Sequence, residues 1–459
     1  MLYKVYLINI SRVSSSLKLP IWISVLTNAL KLKGITPVVI DFVSLDIKNA
    51  INLYEKAISG EPSILGFSIM AGNDHINHVE LYARKASNLN SGHKIVYGGA
   101  LPSSIPHLIL ENCVCDYVIA GEGEIAFPEL ITAIQEGYFF PKNIKGLFYK
   151  KNNRIIGTNQ TQMDYSHKTR NIYNLNKRSQ PDYSLIDMDF YINYLKEIDQ
   201  SFELMASRGC RGNCSFCHRL VRGLGVRDPD LIIDEISEII QKYRLKKFYF
   251  IDENFLELKF FFKKFINTII KRKIDFSFIA QCRVDAIDEE RCQLGSDNGL
   301  RVITLGIESV NQNTLNRINK GIKVRDIEKK ISLLRKYNIL PFINLMIGFP
   351  YDTEDDYLKM INFIIDNGLE NCGKVAYVTP LPGTKMWVEC IQKGYIKNEF
   401  DFIKKMGNLY VERMINLTNL SDAIVDHYYK EVAQLLKRRN MLYPKSKKYL
   451  EKMSLQPSN

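Results

Sequence analysis

The chain has 459 residues, of which 46% are hydrophobic and 24% charged, and its formal net charge is +12 at pH 7. This is the composition of a folded globular protein with two or three domains, and the lack of a long uncharged apolar run excludes a membrane-spanning sequence. Much of the basic excess lies late in the sequence, where we interpret it as a solvated helical face and not as a nucleic-acid-binding surface. The nine cysteines are an odd number and the first residues lack a signal-peptide pattern, so we expect a reducing, cytoplasmic environment.

The first part of the chain alternates short apolar stretches with longer amphipathic ones. Strands are predicted at 3–10, 36–42, 63–68, 93–98 and 116–120, and helices near 18–34, 44–59, 74–91, 103–112 and 124–137. This alternation predicts an α/β, Rossmann-like domain over 1–138 with a doubly wound parallel sheet. Sheets of this kind bind ligands beyond the carboxyl ends of their strands.

The alternation stops between 139 and 200 and then resumes. Residues 146–157 are predicted to form a small hairpin inside this connector. Six strand and helix units follow over 201–395, with strands near Glu203, Phe248, Phe276, Val302, Phe342 and Val375. Asp228 and Pro229 are typical of a helix start. We therefore predict a partial (β/α)6 barrel, followed by a helical, basic region over 396–459.

Cys210, Cys214 and Cys217 stand close together just after the first predicted strand of this barrel. Three thiolates can bind three irons of a 4Fe-4S cluster and leave the fourth iron open for a small molecule. The alternative is a structural zinc site, which needs a fourth ligand. His218 is available, but it adjoins Cys217 without the usual ligand spacing.

The Cys-x3-Cys-x2-Cys spacing, with Phe216 before the third cysteine, resembles the signature of the radical S-adenosylmethionine (SAM) enzymes. That resemblance implies SAM bound to the open iron and cleaved to a 5'-deoxyadenosyl radical. It also implies that Phe216 lies near the adenine.

Polar or small residues follow the later predicted strands, where the partners of SAM would lie. Glu253 suits the SAM ammonium, Arg283 suits its carboxylate, and Glu308 suits the ammonium or the ribose hydroxyls. Gly348 leaves room for the adenine beside the backbone. An acid after a strand is more often a helix cap or a surface ion pair, so the prediction depends on the set and not on one member.

Residues 202–395 resemble those radical SAM proteins that carry an N-terminal cobalamin-binding domain. The matching motifs are the cysteine loop, Arg227 to Pro229, Asp252 to Asn254, Arg283 to Asp285, Gly306 to Ser309, Gly348 to Pro350 and Thr379 to Thr384. The chain departs from the pattern at Tyr351 and Asp352, where the family usually has glycine and glutamate.

The resemblance extends to the strand ends of the first predicted domain. It assigns cobalamin contacts to Ser68, Gly98, Gly99, Gly121 and Glu122. Glycines there let backbone N–H groups approach a phosphate or a large planar ring, although a single pair is more often a tight turn. The loop after the first strand lacks the histidine that serves some cobalamin proteins as lower cobalt ligand.

The implied function is a cobalamin-dependent radical SAM methyltransferase that uses methylcobalamin and acts on an unactivated carbon, or on phosphorus, of a small metabolite or peptide. The cofactors would be a 4Fe-4S cluster, SAM and cobalamin, and the electron donor a flavodoxin or ferredoxin. One alternative keeps both cofactors and performs cyclisation, ring rearrangement or oxidation. The others are an RNA methylthiotransferase-like enzyme, disfavoured by only two N-terminal cysteines, Cys113 and Cys115, and a cobalamin or iron-sulfur sensor.

Overall fold

A computed structural model describes residues 3–10, 17–89, 92–158, 172–176, 180–219, 223–409 and 411–437 of the chain. The last part of the predicted helical, basic region, from 438 onward, lies outside these ranges. Within them, no helix has the length and apolarity needed to cross a membrane.

The first sheet contains five parallel strands extended by an antiparallel hairpin. Its strands are β1 (Lys4–Asn9), β2 (Val38–Asp41), β3 (Ser63–Ser68), β4 (Lys94–Gly98), β5 (Tyr117–Ile119), β6 (Leu147–Lys151) and β7 (Arg154–Gly157). The helices between them are α1 (Ile21–Lys31), α2 (Ile47–Ser59), α3 (His75–Leu89), α4 (Ala100–Ser104), α5 (Pro106–Asn112) and α6 (Gly123–Gln135). The strand order β2-β1-β3-β4-β5-β6-β7 is that of a doubly wound sheet and confirms the predicted fold class.

The predicted hairpin forms, but it belongs to this sheet. Strand β6 pairs antiparallel with β5, and β7 pairs with β6. The sheet therefore continues past residue 138, and we propose that the first structural unit ends near Gly157. We call residues 3–158 the N-terminal unit.

A short sheet and a six-stranded sheet make up the rest. The short sheet contains β8 (Ile172–Asn174), β10 (Ser207–Arg208) and β11 (Leu224–Val226), and the larger one β9 (Phe202–Leu204), β12 (Lys247–Phe250), β13 (Ser277–Arg283), β14 (Leu300–Glu308), β15 (Leu340–Ile347) and β16 (Gly373–Tyr377). The larger sheet is parallel throughout, in the order β16-β15-β14-β13-β12-β9. This is the predicted partial barrel, and we call residues 201–395 the barrel unit.

The remaining helices alternate with the barrel strands or flank them in the chain. They are α7 (Met188–Glu197), α8 (Pro229–Tyr243), α9 (Lys259–Arg272), α10 (Glu289–Asp297), α11 (Gln312–Arg317), α12 (Val324–Lys336), α13 (Glu354–Asp366), α14 (Lys385–Gln392), α15 (Glu399–Lys404) and α16 (Asp422–Leu436), with a 3-10 turn at Val284–Ala286. Asp228 caps α8 as predicted, since its side chain accepts a hydrogen bond from the Asp230 N–H at 3.0 Å. In β13 buried and partly exposed residues alternate, so Phe278, Ala280 and Cys282 face the helices.

The connector and the C-terminal segment both bind the N-terminal unit. The Tyr191 hydroxyl of α7 donates to Asp41 Oδ2 at 2.7 Å, and the Asp182 N–H donates to the Ser24 carbonyl at 2.9 Å. The Asn73 N–H, in the loop after β3, donates to the Gly407 carbonyl at 2.7 Å. The segments that precede and follow the barrel unit in the chain therefore both contact the N-terminal unit.

Candidate cofactor site

The cysteine loop follows β10 and is anchored to the barrel at several points. Gly209 takes φ +90° and donates its N–H to Glu253 Oε2 at 2.9 Å. Farther along, the Ser215 N–H donates to the Ile318 carbonyl at 2.9 Å, and the Ser215 carbonyl accepts from the Met386 N–H at 3.0 Å. Backbone contacts to three separate elements fix the path of the loop.

The three thiols lie near one another inside the protein. Burial, together with the charges of Cys214 and Cys210, raises the pKa of Cys217 to about 12. A metal ion that coordinates such a thiol displaces its proton, so the ligand is the thiolate. Across the described residues, no three Cys, His, Asp or Glu side chains lie close enough to hold a single ion. Thiolates that bind separate irons of a cluster stand farther apart than the ligands of one zinc, so the donor set fits the cluster.

His218 is turned away from the thiols and toward the N-terminal unit. Its Nε2 is hydrogen bonded to Ser104 Oγ in α4. Burial lowers the pKa of His218 to about 4, so the ring is neutral at pH 7. The zinc alternative thereby loses its nearest fourth ligand.

Arg283, predicted to bind the SAM carboxylate, lies against the cysteine loop at the end of β13. Its Nη1 is 3.5 Å from Cys214 Sγ, its Nη2 donates to the Lys320 carbonyl at 2.5 Å, and its Nε donates to Asp285 Oδ1 at 2.9 Å. A Cβ at Gly212 would come within 2.8 Å of Nη1, so glycine makes room for the guanidinium. The guanidinium of Arg283 is therefore fixed beside Cys214, in a place where it can bind a thiolate or a carboxylate.

Glu308 ends β14 in an ion pair that the sequence did not predict. Lys320 Nζ lies 2.8 Å from Glu308 Oε1, and Lys320 is only 5% exposed. A Cβ at Gly306 would stand 2.7 Å from that oxygen, so this pair requires glycine there. Near Lys320 the sequence offers only the following Gly321, which takes φ +70° in the structure. A glycine at this place does not predict a buried lysine.

The turn after β12 supplies three consecutive acceptors. Asp252, 1% exposed, accepts from the Ala206 N–H at 3.1 Å and from Ser207 Oγ, and Asn254 Oδ1 accepts from the Arg283 N–H at 3.1 Å. Burial raises the pKa of Asp252 to about 7. Because Glu253 accepts from the Gly209 N–H, this turn fixes the backbone that leads into the cysteine loop. Glu253, the predicted ammonium ligand, therefore has a structural role.

Gly348 and Phe216 lie on one wall of the barrel mouth. Gly348 has φ +104°, and the N–H groups of Gly348 and Phe349 both donate to Asp352 Oδ2, at 3.1 and 2.9 Å. The Phe216 ring meets the Phe349 ring edge to face, with centroids 6.0 Å apart. Asp352 therefore closes the turn in place of the family's usual glutamate.

The five predicted cobalamin residues share the carboxyl edge of the first sheet. Ser68 and Gly98 are register partners across β3 and β4. Gly99, at φ +90°, has no room for a Cβ, which would lie 2.7 Å from Ser68 Oγ. Gly121, at φ +99°, borders open space instead. Glu122 is bound by Arg208 Nη1 at 3.1 Å. The open space beside Gly121 fits a ligand, whereas the close contact at Gly99 is explained by loop packing alone.

Two family models match successive parts of the chain. The model of the B12 binding domain matches residues 12–131, and that of the radical SAM superfamily matches residues 204–364.

Curated relatives include proteins named as methyltransferases and as cyclases. An "Uncharacterized methyltransferase PH0819" from Pyrococcus horikoshii is 29% identical over 336 residues, which are 71% of this chain and 69% of that protein. An anaerobic magnesium-protoporphyrin IX monomethyl ester cyclase from Synechocystis sp. is 28% identical over 293 residues, covering 62% of this chain and 56% of the cyclase. The chain thus spans little more than half of that cyclase.

Two solved structures share the whole arrangement of units. The radical SAM methyltransferase TsrM from Kitasatospora setae, with cobalamin and a [4Fe-4S] cluster bound, matches with a TM-score of 0.71 and 19% identity over 86% of this chain and 78% of that chain. The cobalamin-dependent SAM radical enzyme OxsB, with aqua-cobalamin bound, matches with a TM-score of 0.65 and 17% identity over 90% of this chain and 59% of that chain. At these identities the likeness concerns the fold.

Proposed function

Because the chain belongs to the radical SAM superfamily and carries a B12-binding domain before its radical SAM domain, we propose that it is a methyltransferase. Its substrate would be an unactivated carbon, or phosphorus, in a small metabolite or peptide. A 4Fe-4S cluster, SAM and cobalamin are its cofactors. When bound, the cluster supplies the electron that cleaves SAM, and the corrin carries the methyl group.

The cysteine loop holds the cluster in this proposal. Cys210, Cys214 and Cys217 are the three ligands, and their mutual proximity supports the assignment. Arg283, 3.5 Å from Cys214 Sγ, offsets the negative charge of the ligands or of a carboxylate at the open iron.

The strand ends of the barrel orient SAM. Lys320 holds Glu308 in place through their ion pair, so Glu308 presents an acceptor to the ammonium or the ribose. Glu253, which accepts from the Gly209 N–H, and Phe216 with Gly348 are the remaining candidate contacts of SAM.

One observation carries the proposal: the cysteine loop contacts the predicted cobalamin edge directly. Arg208, two residues before Cys210, binds Glu122 and Glu124 just after β5. Methyl transfer to a substrate radical requires corrin and SAM to reach one substrate, and this contact brings their candidate sites together.

Cyclisation is the second candidate, favoured by the similarity to the cyclase. The products of SAM separate the two functions. After anaerobic reconstitution with iron, sulfide and hydroxocobalamin, followed by addition of SAM and a low-potential reductant, we expect both 5'-deoxyadenosine and S-adenosylhomocysteine, the latter only in the presence of corrin. Formation of 5'-deoxyadenosine alone would leave the cyclase and overturn the methyltransferase.

A further inference from the structure

Arg208 crosses from the cysteine loop to the N-terminal unit in a largely buried ion pair. Its Nη1 is hydrogen bonded to Glu122 Oε1 at 3.1 Å and to Glu124 Oε1, while its Nε donates to Met205 Sδ at 3.1 Å. The Glu124 side chain is 5% exposed, and that of Arg208 is 21% exposed. A charge-assisted contact at this burial is strong and geometrically specific.

A second crossing lies on the other side of the three cysteines. His218, directly after Cys217, is hydrogen bonded through Nε2 to Ser104 Oγ and also meets the Ala100 carbonyl. Ala100 and Ser104 belong to α4, which begins immediately after Gly99. The cysteines are therefore bracketed by two contacts that reach different strand ends of the first sheet.

The two receiving loops are bonded to each other. Ser103 Oγ donates to the Gly99 carbonyl at 2.6 Å and accepts from the Gly121 N–H at 2.9 Å. The Leu101 N–H donates to the Ile69 carbonyl at 3.0 Å. The ends of β3, β4 and β5 thus form one platform, and a contact to α4 or to Glu124 orients all of it.

We propose that Arg208 and His218 are positioning residues that fix the separation between the cluster and the corrin. We call the contacts of Arg208 with Glu122 and Glu124, and of His218 with Ser104, the clamp. The inference rests on the proposed function, because it assumes a corrin on the platform. The clamp acts through the loop and the platform and touches neither substrate nor SAM.

The test alters the clamp mainly from the N-terminal unit, away from the cluster ligands, and once from the cysteine loop. Glu124→Gln and Ser104→Ala each weaken one crossing, and Arg208→Met weakens one from the loop. Two matched controls are Glu129→Gln, an exposed position of the same helix α6, and Arg211→Met, whose guanidinium pairs with Glu257 inside the barrel unit.

The first measurement is pulsed EPR of full-length protein holding reduced cluster and cob(II)alamin. We expect one narrow distance in the wild type and in both controls. The clamp variants should show a longer or broadened distance with unchanged iron and corrin content. An unchanged distance in all clamp variants would overturn the proposal. A distance in Arg211→Met that is as long or as broadened as in the clamp variants would also overturn it.

The second measurement needs no cofactor. Hydrogen exchange of the apo-protein over 99–104 and 121–124 should be about tenfold faster in Glu124→Gln, and the effects of Glu124→Gln and Arg208→Met should be less than additive in the double variant, because the two residues share one contact. Unchanged exchange in Glu124→Gln would refute the clamp. If the wild type retains no corrin while these exchange effects appear, the proposed function fails and the clamp stands as a link between the units.

Discussion

Lys320 is the residue that most alters the SAM site predicted from the sequence. Its ammonium is buried against Glu308, and the charges of Glu308 and Cys214 hold its pKa up against the lowering effect of burial. A buried pair that loses one partner leaves an uncompensated charge, and this is strongly destabilising.

Lys320→Met should therefore lower the free energy of unfolding by about 3 kcal/mol and weaken SAM binding by at least about tenfold, because Glu308 would be left unpaired. Equilibrium binding of SAM to reconstituted protein, with urea unfolding, checks both effects. Lys323→Met, at an exposed lysine three positions on, is the control and should behave as wild type. Equal SAM affinity in Lys320→Met and Lys323→Met would show that the ion pair has no role in the site.

At this scale the sequence predicted which residue types stand at each strand end, because strand ends follow from hydrophobic alternation. It did not predict their partners. Lys320 reaches Glu308, and Arg283 reaches Cys214, only through tertiary folding. The contact of Glu253 with Gly209 was hidden for the same reason, since it joins distant parts of the chain.

Among the elements, strands were predicted best and junctions least well. The first sheet's strands lie within two residues of their predicted bounds, because each is a short apolar run between turns. The helix predicted at 103–112 is instead two helices, α4 and α5, because Pro106 begins a new one after Ile105. The hairpin was found, but its pairing with β5 depends on distant residues.

The turn between β15 and α13 makes the protein's stability depend on pH. Burial raises the pKa of Asp352 from 3.8 to about 7, despite the two N–H groups that it accepts. The folded state therefore binds the proton more tightly than the unfolded state. The stability that protonated Asp352 contributes to the folded state is fully present below about pH 4 and is lost as the pH rises through about 7.

Asp352→Asn should remove about 2 kcal/mol of the stability lost between about pH 5.5 and about pH 8, because asparagine keeps the acceptor without a charge. Urea unfolding of wild type and variant at the two pH values measures it. Asp252 also has a pKa near 7, so part of the loss should remain in the variant. A variant whose stability falls as steeply as that of the wild type would contradict the assignment.

For the whole molecule, the sequence predicted two α/β units, and the structure adds how they meet. Two units with ligand edges at their strand carboxyl ends gain a shared site only if those edges face each other. The contacts that achieve this, at Arg208, His218 and Tyr191, join segments far apart in the chain and leave no local pattern. Charge and composition do not predict such contacts, so the relative orientation of the two units follows only from the three-dimensional structure.

The most direct test of the central claim follows the methyl group itself. Full-length protein reconstituted with cluster and cobalamin is reduced anaerobically with SAM deuterated in its methyl group, and the retained corrin is analysed by mass spectrometry. We predict trideuteromethyl on the corrin together with S-adenosylhomocysteine, and 5'-deoxyadenosine that disappears in Cys214→Ala. Unlabelled corrin, or 5'-deoxyadenosine that persists without Cys214, would contradict the account.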